Sequence, residues 1–85
     1  MMNASTIKSL IQQQLPDALV EVLGDDGAHF EALVVSPAFV GLSLIKQHQM
    51  VYDALGGRMR EEIHALSLRT MTPEQAQQPR PPAAH

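Results

Sequence analysis

The chain has no cysteine and no tryptophan, one tyrosine and two phenylalanines among its 85 residues. Without thiols it can form neither a disulfide framework nor a self-contained thiolate site for zinc or an iron–sulfur cluster. The absence suits a reducing compartment, and a cytoplasmic setting is expected. Long hydrophobic runs are missing as well. The longest, around residues 32–35, is far short of the roughly 20 apolar residues that a membrane helix needs. No basic start followed by a long apolar stretch announces a signal peptide, so no membrane association is expected. Positive charge is also scarce. Six Lys and Arg stand against nine Asp and Glu, for a net charge of -3. Scattered cations on an acidic chain disfavour non-specific phosphate binding, which relies on clustered Lys and Arg. Finally, Ser36, Ser43 and Ser67 lie in no nucleophile motif. There is no glycine-rich phosphate loop and no histidine pair at helical zinc-protease spacing. An enzyme is not expected, because a catalytic site needs several converging roles.

What is present reads as one small domain over residues 1–78, followed by a proline-rich tail, 79–85, expected to be disordered. Asn3 or Ser5 can cap a first helix, in which Ile7, Leu10, Ile11 and Leu15 recur at helical spacing until Pro16. Residues 18–23 alternate as a strand. Gly24-Asp25-Asp26-Gly27 is a turn, so short that the next strand, residues 29–35, must return antiparallel. After Ser36-Pro37, a helix is expected over 43–55, with Leu44, His48, Val51 and Leu55 as its apolar stripe. Gly56-Gly57 bends it, since each glycine costs about 1 kcal/mol inside a helix, and a second piece follows over 57–62. Residues 63–70 alternate as a third strand. Thr72-Pro73-Glu74-Gln75 is a capping-box start for a short last helix. The order is α-β-β-α-α-β-α, an α+β chain. The helical passage between the second and third strands is long enough for a crossover, which joins parallel strands.

If those two strands are neighbours, His29 and His64 sit near their N-terminal ends, at one end of the sheet. Two imidazoles are half of a soft-metal site, and a second molecule would have to supply the rest. Each histidine has a plainer reading. His64 alternates with Leu66 and Leu68, as a core histidine would, and His29 follows a polar turn, as an exposed loop residue would. His48 falls on an apolar helix stripe and reads as packing. The adjacent Asp25 and Asp26 read as turn chemistry, and the methionines as core filler.

The chain resembles the BolA-like family. The resemblance rests on Gly24-Asp25-Asp26-Gly27-Ala28-His29-Phe30, on Phe39-Val40-Gly41-Leu42-Ser43 and on Gln47-His48-Gln49-Met50-Val51-Tyr52. It continues in Ile63-His64-Ala65-Leu66-Ser67-Leu68 and Thr70-Met71-Thr72-Pro73-Glu74, and covers roughly residues 5–76. It implies an α/β sandwich with a three-stranded mixed sheet and helices on one side, similar to the type II KH arrangement and containing a helix–turn–helix. It also implies partnership with a monothiol glutaredoxin. The pair would share a 2Fe–2S cluster, held together with glutathione, in iron–sulfur trafficking, iron regulation and stress response. By the same resemblance His64 corresponds to the family's C-terminal histidine ligand. His29 corresponds to the second ligand, from the loop between the first two strands, which places the chain with the histidine-type subgroup. Neutral imidazole is the ligand form, so such an assembly is expected to weaken as pH falls through about 6.5.

Two further readings stay open. One is a DNA-binding regulator of stress and cell-shape genes, with Lys46, Arg58 and Arg60 on phosphate and Gln47 or Gln49 on base edges. The family often carries an arginine beside the helix histidine, where this chain has Gln47 and Gln49, which weakens that reading. The other is a plain interaction module or homodimer, using an exposed sheet edge or the apolar segment 39–44.

Overall fold

The computed structural model describes residues 3–24, 29–56 and 65–77. Helix α1 spans Ala4–Gln14, because Asn3 accepts a hydrogen bond from the Thr6 N–H at 2.9 Å, satisfying one of the donors a helix start leaves orphaned. Ile7 and Ile11, one turn apart, are its buried face. The chain then enters β1 (Leu19–Leu23) and β2 (His29–Val35). These pair antiparallel, with Leu19 opposite Val35 and Leu23 opposite Glu31.

A single 3-10 turn, Pro37–Phe39, follows, capped by the Ser36 hydroxyl, which accepts from the Ala38 N–H at 3.0 Å. Helix α2 (Leu44–Leu55) starts at Ser43, whose hydroxyl accepts from the Lys46 N–H. It stops at Gly56, where φ of +65° and ψ of -153° belong to a region that only glycine enters without strain. Strand β3 (Ala65–Met71) pairs parallel to β2, from His29 opposite Ala65 to Val35 opposite Met71. The sheet order is β1-β2-β3, a three-stranded mixed sheet, and the parallel run of β2 and β3 is what the crossover argument expects. Helix α3 (Pro73–Gln77) closes the described chain. Its capping box is formed at both ends. The Gln75 N–H donates to the Thr72 hydroxyl at 3.2 Å, and the Thr72 N–H donates to Gln75 Oε1 at 2.9 Å.

The core lies between the sheet and α1 with α2. Val20, Phe30 and Val34 from the strands meet Ile7, Ile11, Phe39, Val51 and Leu55. Strand alternation sends Glu21, Glu31 and Arg69 the other way, to an exposed sheet face. The helical piece expected over 57–62, the strand start at Ile63 and His64, and the tail 79–85 lie outside the described residues.

One expectation about α2 needs correction. Of the stripe expected through Leu44, His48, Val51 and Leu55, the second half is buried and the first half is not. Gln47, Val51 and Leu55 are buried, while Leu44 and Ile45 are exposed and His48 is half-buried. The helix is rotated because Gln47 has partners inside. Its amide nitrogen donates to the Leu42 carbonyl at 3.0 Å and the Phe39 carbonyl at 3.5 Å, and its oxygen accepts from the Thr70 hydroxyl at 2.6 Å. A satisfied glutamine can occupy a core position that periodicity reserves for an apolar residue.

Candidate metal-ligand rim

His29 is the first residue of β2, and the alternation of the strand sets its direction. Phe30, 3% exposed, is driven into the core, so His29 is turned outward and its side chain is exposed. Behind it, Gly24 permits a close approach that a larger residue would forbid. A Cβ at Gly24 would stand 2.8 Å from the His29 carbonyl oxygen and would collide with the Phe30 ring. The position of His29 is therefore fixed from two sides, by a buried aromatic anchor and by a glycine against its own backbone.

The register decides what shares this end of the sheet. β2 and β3 are adjacent and parallel, so their first residues lie side by side, and Ala65 is the Cα partner of His29. Antiparallel β1 delivers its last residue, Leu23, to the same end. His64, the other expected ligand, lies outside the described residues; it is joined by one peptide bond to Ala65. Among the described residues, no group of three or more His, Asp or Glu gathers into a place for a metal ion. What this end offers is an exposed imidazole on a rigid strand, a donor suited to the non-thiolate half of a mixed ligand set.

The residues expected at a nucleic-acid surface are divided. Lys46 and Gln49 are exposed on α2. Gln47 is not available to read base edges: it is buried, and its amide is spent on Leu42, Phe39 and Thr70. Arg58 and Arg60 lie outside the described residues. Lys46 sits beside Leu44 and Ile45, which are 61% and 72% exposed, an apolar neighbourhood for a phosphate contact. Among the described residues, no helix is long and apolar enough to cross a membrane.

A sequence model of the family described as BolA-like protein matches residues 7–75, most of the chain. The chain belongs to the BolA-like family. Among solved structures, a bolA protein homologue from Coxiella burnetii superposes with a TM-score of 0.79 at 42% identity, covering 92% of this chain and all of that one. The BolA domain of SufE1 from Arabidopsis thaliana superposes with a TM-score of 0.73 at 30% identity, covering 88% of this chain and 99% of that one. Among curated proteins, the chain is 47% identical over 51 residues to SufE-like protein 1 of Arabidopsis thaliana, 59% of this chain and 14% of that protein. It is 29% identical over 80 residues to BolA-like protein 1 of Mus musculus, 84% of this chain and 58% of that protein. The chain thus spans less than two thirds of the length of each of these curated relatives. The BolA-like fold is what they hold in common with it.

Proposed function

We propose that this BolA-like chain is a non-catalytic adaptor. It binds a monothiol glutaredoxin, shares a 2Fe–2S cluster with it, and acts in iron–sulfur trafficking, iron regulation and stress response in the cytoplasm. The observation that supports this most is the exposed imidazole of His29 on the first residue of β2, beside the first residue of the parallel strand β3. The likeness to the BolA domain of a SufE protein supports an iron–sulfur setting.

The donor chemistry fits. The chain carries imidazoles and no thiolate. A cluster accepts imidazole in place of thiolate on one iron, which raises its reduction potential. The partner's cysteine and a bound glutathione would provide the sulfur ligands. His64 is assigned as ligand and His29 as the second, in the manner of the family's histidine-type subgroup. Strand β2 holds the His29 backbone in a hydrogen-bonded ladder, so little ordering is left for the moment of association. Anaerobic cluster reconstitution with and without a monothiol glutaredoxin, followed by native mass measurement, tests the proposal. A heterodimer carrying two irons and two sulfides is expected. A cluster that stays wholly with the glutaredoxin would overturn the reading.

A second reading, duplex DNA binding through α2, is kept by the exposure of Lys46 and Gln49. Binding through several phosphates must weaken steeply with salt. No detectable binding at low salt removes it.

A further inference from the structure

Among the described residues, α1 and α2 cover one side of the sheet, and the other face is a patterned surface. Its rungs follow from the register. The first is Leu19–Val35–Met71, in which Val35 is buried and Met71 half-buried, the second Glu21–Leu33–Arg69, the third Leu23–Glu31–Ser67. Leu19 and Leu23 are 59% and 67% exposed, unusual for leucines on a sheet. Leu33 is half-buried in a shallow groove whose charged lining is Lys8, Glu21, Glu31 and Arg69. The middle rung carries a negative charge on one edge strand, a leucine in the centre and a positive charge on the other edge strand.

We propose that this face docks a second copy of the chain, sheet on sheet, about a two-fold axis running along β2. Such an axis exchanges the two edges. Each β1 then lies over the partner's β3 at the same height along the strand, and each β2 lies over its own counterpart. Glu21 meets Arg69 of the other copy, twice, and Leu33 packs on Leu33 between the two ion pairs. Leu19 falls opposite Met71. The alternative two-fold, across the strands, would set Glu21 against Glu21 and Arg69 against Arg69. The charge pattern therefore selects one dimer over the other.

Glu31 is the acidic residue the arrangement opposes, since two copies approach across the axis; His29, on the same face of β2, also lies over its own counterpart. Aligned sheets cross at about 30°. Two copies of Glu31, a full pleat away from the crossing point at Leu33, are moved apart by that angle, while the long Glu21 and Arg69 side chains stay in reach. Three strands about 4.8 Å apart make a small face. It falls below the roughly 800 Å² per partner of a standard stable interface, so the dimer is weak and reversible.

Sedimentation velocity on the full chain, from about 10 µM to about 1 mM, tests this in the range where small interfaces associate. The native chain should shift from monomer toward dimer with rising concentration. Glu21→Arg and Arg69→Glu should each raise the dissociation constant by about tenfold or more, through like-charge contacts. The double exchange Glu21→Arg/Arg69→Glu should return it to within about threefold of native, because the pairs are rebuilt with opposite polarity. Glu31→Gln should tighten the dimer. All three substituted residues are exposed, and circular dichroism confirms that each of the four variants is folded. A monomer throughout the range overturns the proposal and leaves the face to an unlike partner. Single reversals without effect, or a folded double exchange that fails to restore association, overturn it as well.

Discussion

Gln47 joins three parts of the chain: the loop carbonyls of Phe39 and Leu42, helix α2 and the Thr70 hydroxyl of β3. It aligns α2 on the sheet where an apolar side chain could not. Gln47→Leu keeps the volume and removes the bonds, leaving a buried Thr70 hydroxyl without its acceptor. A loss of about 1–3 kcal/mol is expected, read as a lower midpoint in urea. Adding Thr70→Val to that variant removes the orphaned hydroxyl and should recover part of the loss, since the two residues act as a pair. Gly24 is the second decisive residue. Gly24→Ala forces a Cβ against the His29 carbonyl and the Phe30 ring. About 1–3 kcal/mol is expected, as for other overpacking. The His29 imidazole resonances in an NMR spectrum should move with it, whereas an exposed surface alanine would leave them in place.

At the scale of the elements, most boundaries were legible because each has a local cause. Asn3, Ser43 and the Thr72/Gln75 box announce three helix starts by side chains that need only their own neighbours. Asn3→Ala should cost about 1 kcal/mol, measurable as a lower helix signal midpoint on heating. Gly56 ends α2 for an equally local reason, and Gly56→Ala should cost about 1–3 kcal/mol by placing a Cβ in a glycine-only backbone region. β2 was read to its terminal residues, because the sequence Gly24-Asp25-Asp26-Gly27 signals a turn before it, a proline follows it closely, and Phe30, Ala32 and Val34 alternate inward. The face of α2 was legible in its second half, at Val51 and Leu55, and not in its first. Two apolar stripes overlap there, one through Leu44 and His48 and one through Gln47 and Val51. Only the tertiary partners of Gln47, on β3 and in the preceding loop, choose between them. A glutamine spaced four and eight residues before Val51 and Leu55 was the available signal, and it reads as polar until those partners are known. The site was half legible. A crossover long enough to hold helices implied parallel β2 and β3, and adjacency of the two strands followed in the fold. What a histidine at the strand end binds is a matter of chemistry that periodicity does not carry.

As a whole molecule, the chain separates its tasks by position. The core occupies the layer between sheet and helices, and the open sheet face carries ordered charge and leucine. The end where β2 and β3 begin presents His29. A partner arriving at that end meets a donor already held by the sheet, so recognition there depends on ligand exchange more than on folding. The central claim concerns the imidazoles and the cluster they would share, and one measurement addresses it most directly. The visible absorption spectrum of the anaerobically reconstituted pair with a monothiol glutaredoxin is compared for the native chain, His29→Ala, His64→Ala and the double variant. Each single change is predicted to shift the charge-transfer bands, and the double change to remove the heterodimer's spectrum altogether. Identical bands from all four samples would contradict the account.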